Sequence, residues 1–161
     1  MGRIITIPQE RGVYYDGPAG LVALPTRVFL PVQERGWKHM LGLGSPNLRA
    51  VMPGANAAVV IPNPRPSFYF RGDRPGNMTY LLRGERKPDH RQFRMSRSRY
   101  DTEWMQFRQE NLTGVEIESL GGGLSVIRPT ADLTSGEYVI VAVLEPRFRA
   151  IRLAFDFGVA R

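Results

Sequence analysis

Turn-forming residues divide this chain into short segments, and their spacing restricts the possible folds more than any other feature. Thirteen prolines and 17 glycines stand among the 161 residues. Turn signals such as Pro53-Gly54 and Gly121-Gly122-Gly123 recur about every eight to twelve residues. The apolar runs between them are short, and periodicity of 3.6 residues is weak throughout. A helix has its best chance at Asp101–Gln109, although strand alternation fits those residues nearly as well.

The two clearest strands are predicted near the C-terminus, at Glu137–Leu144 and Leu153–Val159. The first is apolar at most positions, which indicates a central strand that is covered on both faces. In the second, Phe155 and Phe157 share one face, and we expect both rings to be buried. We therefore predict an all-β fold, an immunoglobulin-like antiparallel β-sandwich that forms a single domain over residues 1–161.

Several short motifs, spread over most of the chain, form a recognisable series. They are Gly12-Val13-Tyr14-Tyr15, Ser67-Phe68-Tyr69-Phe70, Tyr80-Leu81-Leu82-Arg83, Arg91-Gln92-Phe93-Arg94, Gly136-Glu137-Tyr138 and Phe155-Asp156-Phe157-Gly158-Val159. This series resembles a group of uncharacterised bacterial β-sandwich domains, in which a Gly-Glu-Tyr strand precedes a closing Phe-Asp-Phe-Gly strand. The resemblance implies a β-sandwich and no particular activity, so it assigns no catalytic residue.

Few residues have the chemistry that catalysis needs. The chain has no cysteine, which excludes disulfides, thiolate zinc sites and cysteine nucleophiles. His39 and His90 stand in polar, basic settings, and we expect both to be histidines of surface loops. Asp132, Glu137 and Asp156 are expected to cap turns or to pair with arginines. No nucleotide-binding or nucleophile motif is present, so we predict a protein without catalytic residues, cofactor, metal or small-molecule substrate.

The charge of the chain points to a binding role. Its net charge is +7, and all but two of its 22 Lys and Arg residues are arginines. Codon usage in a GC-rich genome could produce this excess, but arginine also suits interfaces because it makes planar, bidentate contacts. Basic residues are interleaved with aromatic ones over Arg83–Arg108. The predicted partner-binding residues in this segment are Arg91, Arg94, Arg97, Arg99, Tyr100, Trp104 and Arg108.

Strand alternation would divide this segment between two faces. Arg91 would share a face with Phe93 and Met95, whereas Arg94 would share the other face with Gln92. The arginines therefore need not act together. A charged face that contacts only solvent is the simplest alternative to a binding surface.

We predict a non-catalytic accessory or structural subunit that docks onto protein subunits of a larger assembly. No apolar stretch reaches the ~20 residues of a membrane span, and the N-terminus has no apolar core of a signal peptide. These features favour a cytoplasmic protein, and the arginines would suit the anionic cytoplasmic face of a membrane complex. The alternative function is binding of RNA or single-stranded DNA through residues 83–108, because such grooves combine cations with aromatic rings.

Overall fold

The computed structural model describes residues 3–29, 31–34, 47–72, 79–97, 105–107, 111–142 and 152–160. Within these ranges the chain consists mainly of β-strands, nearly all paired antiparallel, which confirms the all-β prediction. Part of the best helix candidate, Met105–Phe107, is also a strand. The strands form three sheets.

The first sheet has five strands. In spatial order they are β13 (Val115–Gly121), β14 (Leu124–Pro129), β7 (Phe68–Arg71), β1 (Gly12–Gly17) and β2 (Gly20–Ala23). Gly121, Gly122 and Gly123 connect β13 to β14 with φ angles of 83°, 60° and 75°. Only glycine adopts this conformation readily, so the three residues form the hairpin connection that the sequence predicts.

The second sheet contains the two C-terminal strands. In spatial order its strands are β12 (Leu112–Thr113), β8 (Tyr80–Arg83), β15 (Gly136–Ala142), β16 (Arg152–Val159) and β3 (Thr26–Phe29), with β6 (Val60–Ile61) parallel to the end of β16. Strand β15 lies between two neighbours and is buried along nearly its whole length. This confirms the predicted central strand as far as Ala142, beyond which the prediction lies outside the described residues.

The third sheet is built around the Arg-rich strand. In spatial order its strands are β11 (Met105–Phe107), β10 (His90–Arg97), β5 (Asn47–Pro53) and β4 (Pro31–Glu34), and β9 (Glu85–Arg86) also pairs with β10. Strand β10 pairs with β5 in a register that places Arg94 opposite Arg49 and Gln92 opposite Val51.

The second sheet separates two hydrophobic cores, because its alternating side chains enter both. Phe155, Phe157 and Ile140 pack with side chains of the first sheet, such as Phe68. On the opposite face, Val139, Val141 and Ala154 pack with residues of the third sheet. Those third-sheet residues are Ala50, Met52 and Phe93. The predicted burial of Phe155 and Phe157 is confirmed, and the arrangement has three sheets instead of the two that a simple sandwich requires.

Candidate interaction surface

Strand β10 divides the Arg-rich segment between the protein interior and its surface. Arg91 and Phe93 point towards the second sheet and are buried, with exposed fractions of 0% and 1%. Arg94 points the other way and is exposed. This division follows the predicted alternation and gives neighbouring arginines opposite environments.

Arg91 is held inside the protein by three hydrogen bonds. Its Nη1 lies 2.8 Å from Oδ2 of Asp156, while Nε and Nη2 donate to the carbonyl oxygens of Gly54 and Pro53 at 2.9 and 3.2 Å. A guanidinium that is buried in this way cannot contact a partner. The structure thus removes Arg91 from the predicted partner-binding set and assigns it to the interior.

The two buried carboxylates of this region each have several partners. Asp156 also lies 3.3 Å from Nε of Arg27. Glu137 accepts from Nη2 of Arg86 and from the backbone nitrogen of Ala57, both at 2.9 Å, and lies 3.7 Å from Arg91. The prediction that these acidic residues pair with arginines is confirmed. It also holds for Asp132, which lies 3.1 Å from Arg65.

A second group of charges lies on the outer face of the third sheet. We call it the basic face, and its members are Arg49, Glu85, Lys87, Gln92 and Arg94. The amide of Gln92 connects the group, because its Oε1 accepts from Arg49 and its Nε2 donates to Glu85, both at 2.8 Å. Lys87 lies 2.6 Å and Arg94 3.8 Å from the same carboxylate.

Glu85 stays ionised at this site. Hydrogen bonds from Lys87 and then Gln92 lower its pKa below the ordinary value, because they stabilise the charged form. Two cations, Lys87 and Arg94, therefore contact one carboxylate, so this contact group has one positive charge in excess. Arg49 and Arg94 stand directly opposite each other, and like charges in that position destabilise a sheet. The face thus brings positive charge from two strands close together.

The sequence prediction and the structure overlap at this face only in part. Arg94 belongs to it, and Arg97 ends β10 without a described side chain. The other predicted contacts lie outside the described residues: Arg99, Tyr100, Trp104 and Arg108. Arg49 was missed, because it lies more than 40 residues before Arg94 and only the strand register brings the two together.

The one described histidine has a local partner. His90 begins β10, so it is not the loop histidine that the sequence indicates, and its Nδ1 contacts Oδ1 of Asp89. That hydrogen bond lowers the pKa of the Asp89 carboxyl, which is itself exposed. Among the described residues, no three histidine, aspartate or glutamate side chains are grouped as a metal site would require.

Comparisons with known proteins assign the chain to no family. No family model matches the chain, and neither the curated proteins nor the solved structures contain a significant match. The resemblance to bacterial β-sandwich domains therefore stays a prediction. In the described part of the chain, no helix is long and apolar enough to cross a membrane.

Proposed function

We propose that the protein is a non-catalytic accessory subunit that docks onto an acidic surface of a protein partner through the basic face. The single observation that supports this proposal is the convergence of Lys87 and Arg94 on one carboxylate, Glu85, to which Gln92 also connects Arg49. An acidic partner would supply the negative charge that the face lacks. Arginine is suited to this role because its planar guanidinium makes bidentate contacts with carboxylates.

Hydrogen bonds from Gln92 anchor the basic face to the sheet, and this favours recognition of a partner. Gln92 is nearly buried and hydrogen-bonds both Arg49 and Glu85, so these side chains are already held in place before a partner arrives. Holding side chains in the bound geometry lowers the entropy that association must overcome. A solvated charged face would not require such anchoring.

Binding of RNA or single-stranded DNA is the second candidate. The excess positive charge of the basic face would favour it, since phosphate neutralisation dominates nucleic-acid affinity. Single-stranded ligands also need aromatic rings for base stacking, and no member of the basic face is aromatic. Protein docking is therefore the function that we favour. A cytoplasmic location and contact with an anionic membrane surface remain part of the proposal.

The finer fold assignment is also a proposal. The shared core of the first and second sheets supports an immunoglobulin-like sandwich, to which the third sheet adds a layer that carries the basic face. Contacts of the second sheet with both of its neighbours support a single domain.

Affinity purification from the source organism tests the docking proposal. Three tagged proteins serve as bait: the wild type, the double variant Arg49→Glu/Arg94→Glu and the variant Arg65→Glu. Each purification is done with and without nuclease. Arg65 is a matched control for Arg94. The two side chains are 58% and 57% exposed, and each pairs with one carboxylate. We expect a protein partner that the wild type and the control retain and the double variant loses.

Two results would contradict the proposal. Retention of the same partners by the double variant would show that the basic face only contacts solvent. Loss of all retained material after nuclease treatment would favour the nucleic-acid function instead.

A further inference from the structure

A pocket of about 470 Å³ lies at one end of the second sheet. It is formed where β8 and β16 end and β15 begins, and β9 closes one side of it. The residues that matter for its chemistry are Val60, Arg83, Arg86, Gly136 and Glu137. Its volume falls in the range of ligand-binding pockets, which is roughly 300–1,000 Å³. No member of the basic face lines it.

Arg83 is an unusual lining residue, because no carboxylate of the described chain pairs with it. Its Nη2 donates to the carbonyl oxygen of Ser135 at 3.0 Å, and this bond uses one of its five N–H donors. Gly136 makes room for this placement. A Cβ at that position would lie only 3.2 Å from Nε of Arg83 and 3.3 Å from its Nη2. The guanidinium therefore lies against the backbone with donors left for another acceptor.

Arg86 provides the second cation of the pocket. It bonds Oε1 of Glu137 at 2.9 Å, but its side chain is 57% exposed and keeps further donors. Glu137 is itself nearly buried beneath the pocket and is neutralised by its contacts with Arg86, Ala57 and Arg91. It therefore does not cancel the charge of Arg83.

The ion-pair network below the pocket also has an excess of positive charge. Four guanidiniums and only two carboxylates lie in this region. The guanidiniums belong to Arg27, Arg83, Arg86 and Arg91, and the carboxylates to Glu137 and Asp156. Three of these guanidiniums contact a carboxylate, and only that of Arg83 contacts none among the described residues. The group therefore carries two more positive than negative charges, and an anion in the pocket would have a favourable field.

The opposite wall of the pocket is apolar. Val60 is 59% exposed, although valine usually prefers the interior. It lies opposite Gly158, which has no side chain to cover it. A ligand that combines a negative group with a short aliphatic chain would contact both walls.

We propose that this pocket binds an organic carboxylate, with the carboxylate between Arg83 and Arg86 and the aliphatic part against Val60. The carboxylate could belong to a free acid or to the C-terminus of a peptide. Both present the same planar acceptor, which a guanidinium recognises through two parallel hydrogen bonds. This site is separate from the docking proposal, since it shares no residue with the basic face.

Titrations monitored by NMR test the proposal on the intact protein. The probes are 4-methylpentanoate, its uncharged amide, and the peptide Ala-Val-Val with a free or an amidated C-terminus. We expect the two carboxylate probes to shift the backbone amides of Gly84, Gly136 and Gly158, and the two amides to have little effect. The probe with the lower Kd identifies the source of the carboxylate.

A pair of variants tests the role of the guanidinium. Arg83→Gln should raise the Kd of the carboxylate probe about tenfold or more, because it removes a charge-assisted hydrogen bond. Arg65→Gln, a change outside the pocket, should leave the Kd unchanged. Gly136→Ala should weaken binding too, because the added Cβ displaces the Arg83 side chain. This variant replaces Arg83→Gln in the test if Arg83→Gln does not fold.

Three results would overturn the proposal. In the first, a folded Arg83→Gln variant binds the carboxylate probe as tightly as the wild type does. In the second, the amides bind as tightly as the carboxylates. In the third, neither carboxylate shifts the backbone amides at concentrations up to about 10 mM.

Discussion

Replacement of Arg91 by alanine should destabilise the protein strongly, although the residue belongs to a segment that looks exposed in the sequence. The change leaves Asp156 fully buried with Arg27 as its remaining cation, at 3.3 Å. It also removes the donors to the carbonyl oxygens of Pro53 and Gly54. Breaking a buried ion pair in this way costs about 3–5 kcal/mol, because one charge is left without its partner.

The size of this loss can be compared with the whole stability of a domain. The free energy of unfolding of a domain is about 5–15 kcal/mol, so the variant would lose a large share of its stability. At roughly 2–4 °C per kcal/mol for chains of this length, the melting temperature should fall by about 6–20 °C. Urea unfolding followed by circular dichroism measures the free energy, and calorimetry measures the melting temperature.

Arg94→Ala is the matched control, since it removes the same side chain from the same strand. Arg94 is exposed and, among the described residues, pairs only with Glu85 at 3.8 Å, so its loss should cost no more than about 1 kcal/mol. A loss below about 1 kcal/mol for Arg91→Ala, or equal losses for the two variants, would refute the assignment of Arg91 to the interior.

Three further predictions concern the core and the alkaline limit of stability. Phe157→Ala should cost about 3–5 kcal/mol in urea unfolding, because the ring is buried against Phe68 at 4.8 Å between centroids; a loss under about 1 kcal/mol would contradict that packing. Gly84→Ala should cost about 1–3 kcal/mol, because the new Cβ would lie 2.7 Å from the Phe93 ring, and an unchanged melting temperature would show that the ring moves freely. Burial, and to a lesser degree Asp16, raises the pKa of Tyr15 above its ordinary value of 10.0. The unfolded chain then loses this proton first, so stability that is present below about pH 10 should fall as the pH rises further. Urea midpoints at pH 8 to 11 should show this fall, and Tyr15→Phe should reduce it.

The sequence contains enough information to predict many of the strands and, for some of them, which face is buried. Alternation and apolar content identify β15 and β16, and they correctly place Phe155 and Phe157 in a core. Alternation also places Arg91 on the face of Phe93, and Phe93 is the stronger signal, because an aromatic residue on a strand face favours burial. The weight given to arginine as a surface residue led to the prediction that Arg91 contacts a partner.

Strand register is the part that the sequence does not supply. The basic face exists because β5 and β10 pair with Arg49 opposite Arg94, and nothing local in either strand specifies that pairing. The same is true of the pocket, where Arg83 and Gly136 come together from adjacent strands that are far apart in the chain. Long-range pairing also produces the third sheet, which the turn spacing does not reveal.

The affinity of the purified protein for the partner that it retains is the most direct test of the docking proposal. Isothermal titration calorimetry of the wild type, Arg49→Glu/Arg94→Glu and Arg65→Glu compares the three proteins under one salt condition. We expect the double variant to bind at least about 30-fold more weakly, since loss of a cation from a desolvated pair costs about 2–5 kcal/mol. The control should bind like the wild type, and all three should melt within a few degrees of each other. Equal affinity of the double variant and the wild type would contradict the proposal that the basic face is the docking surface.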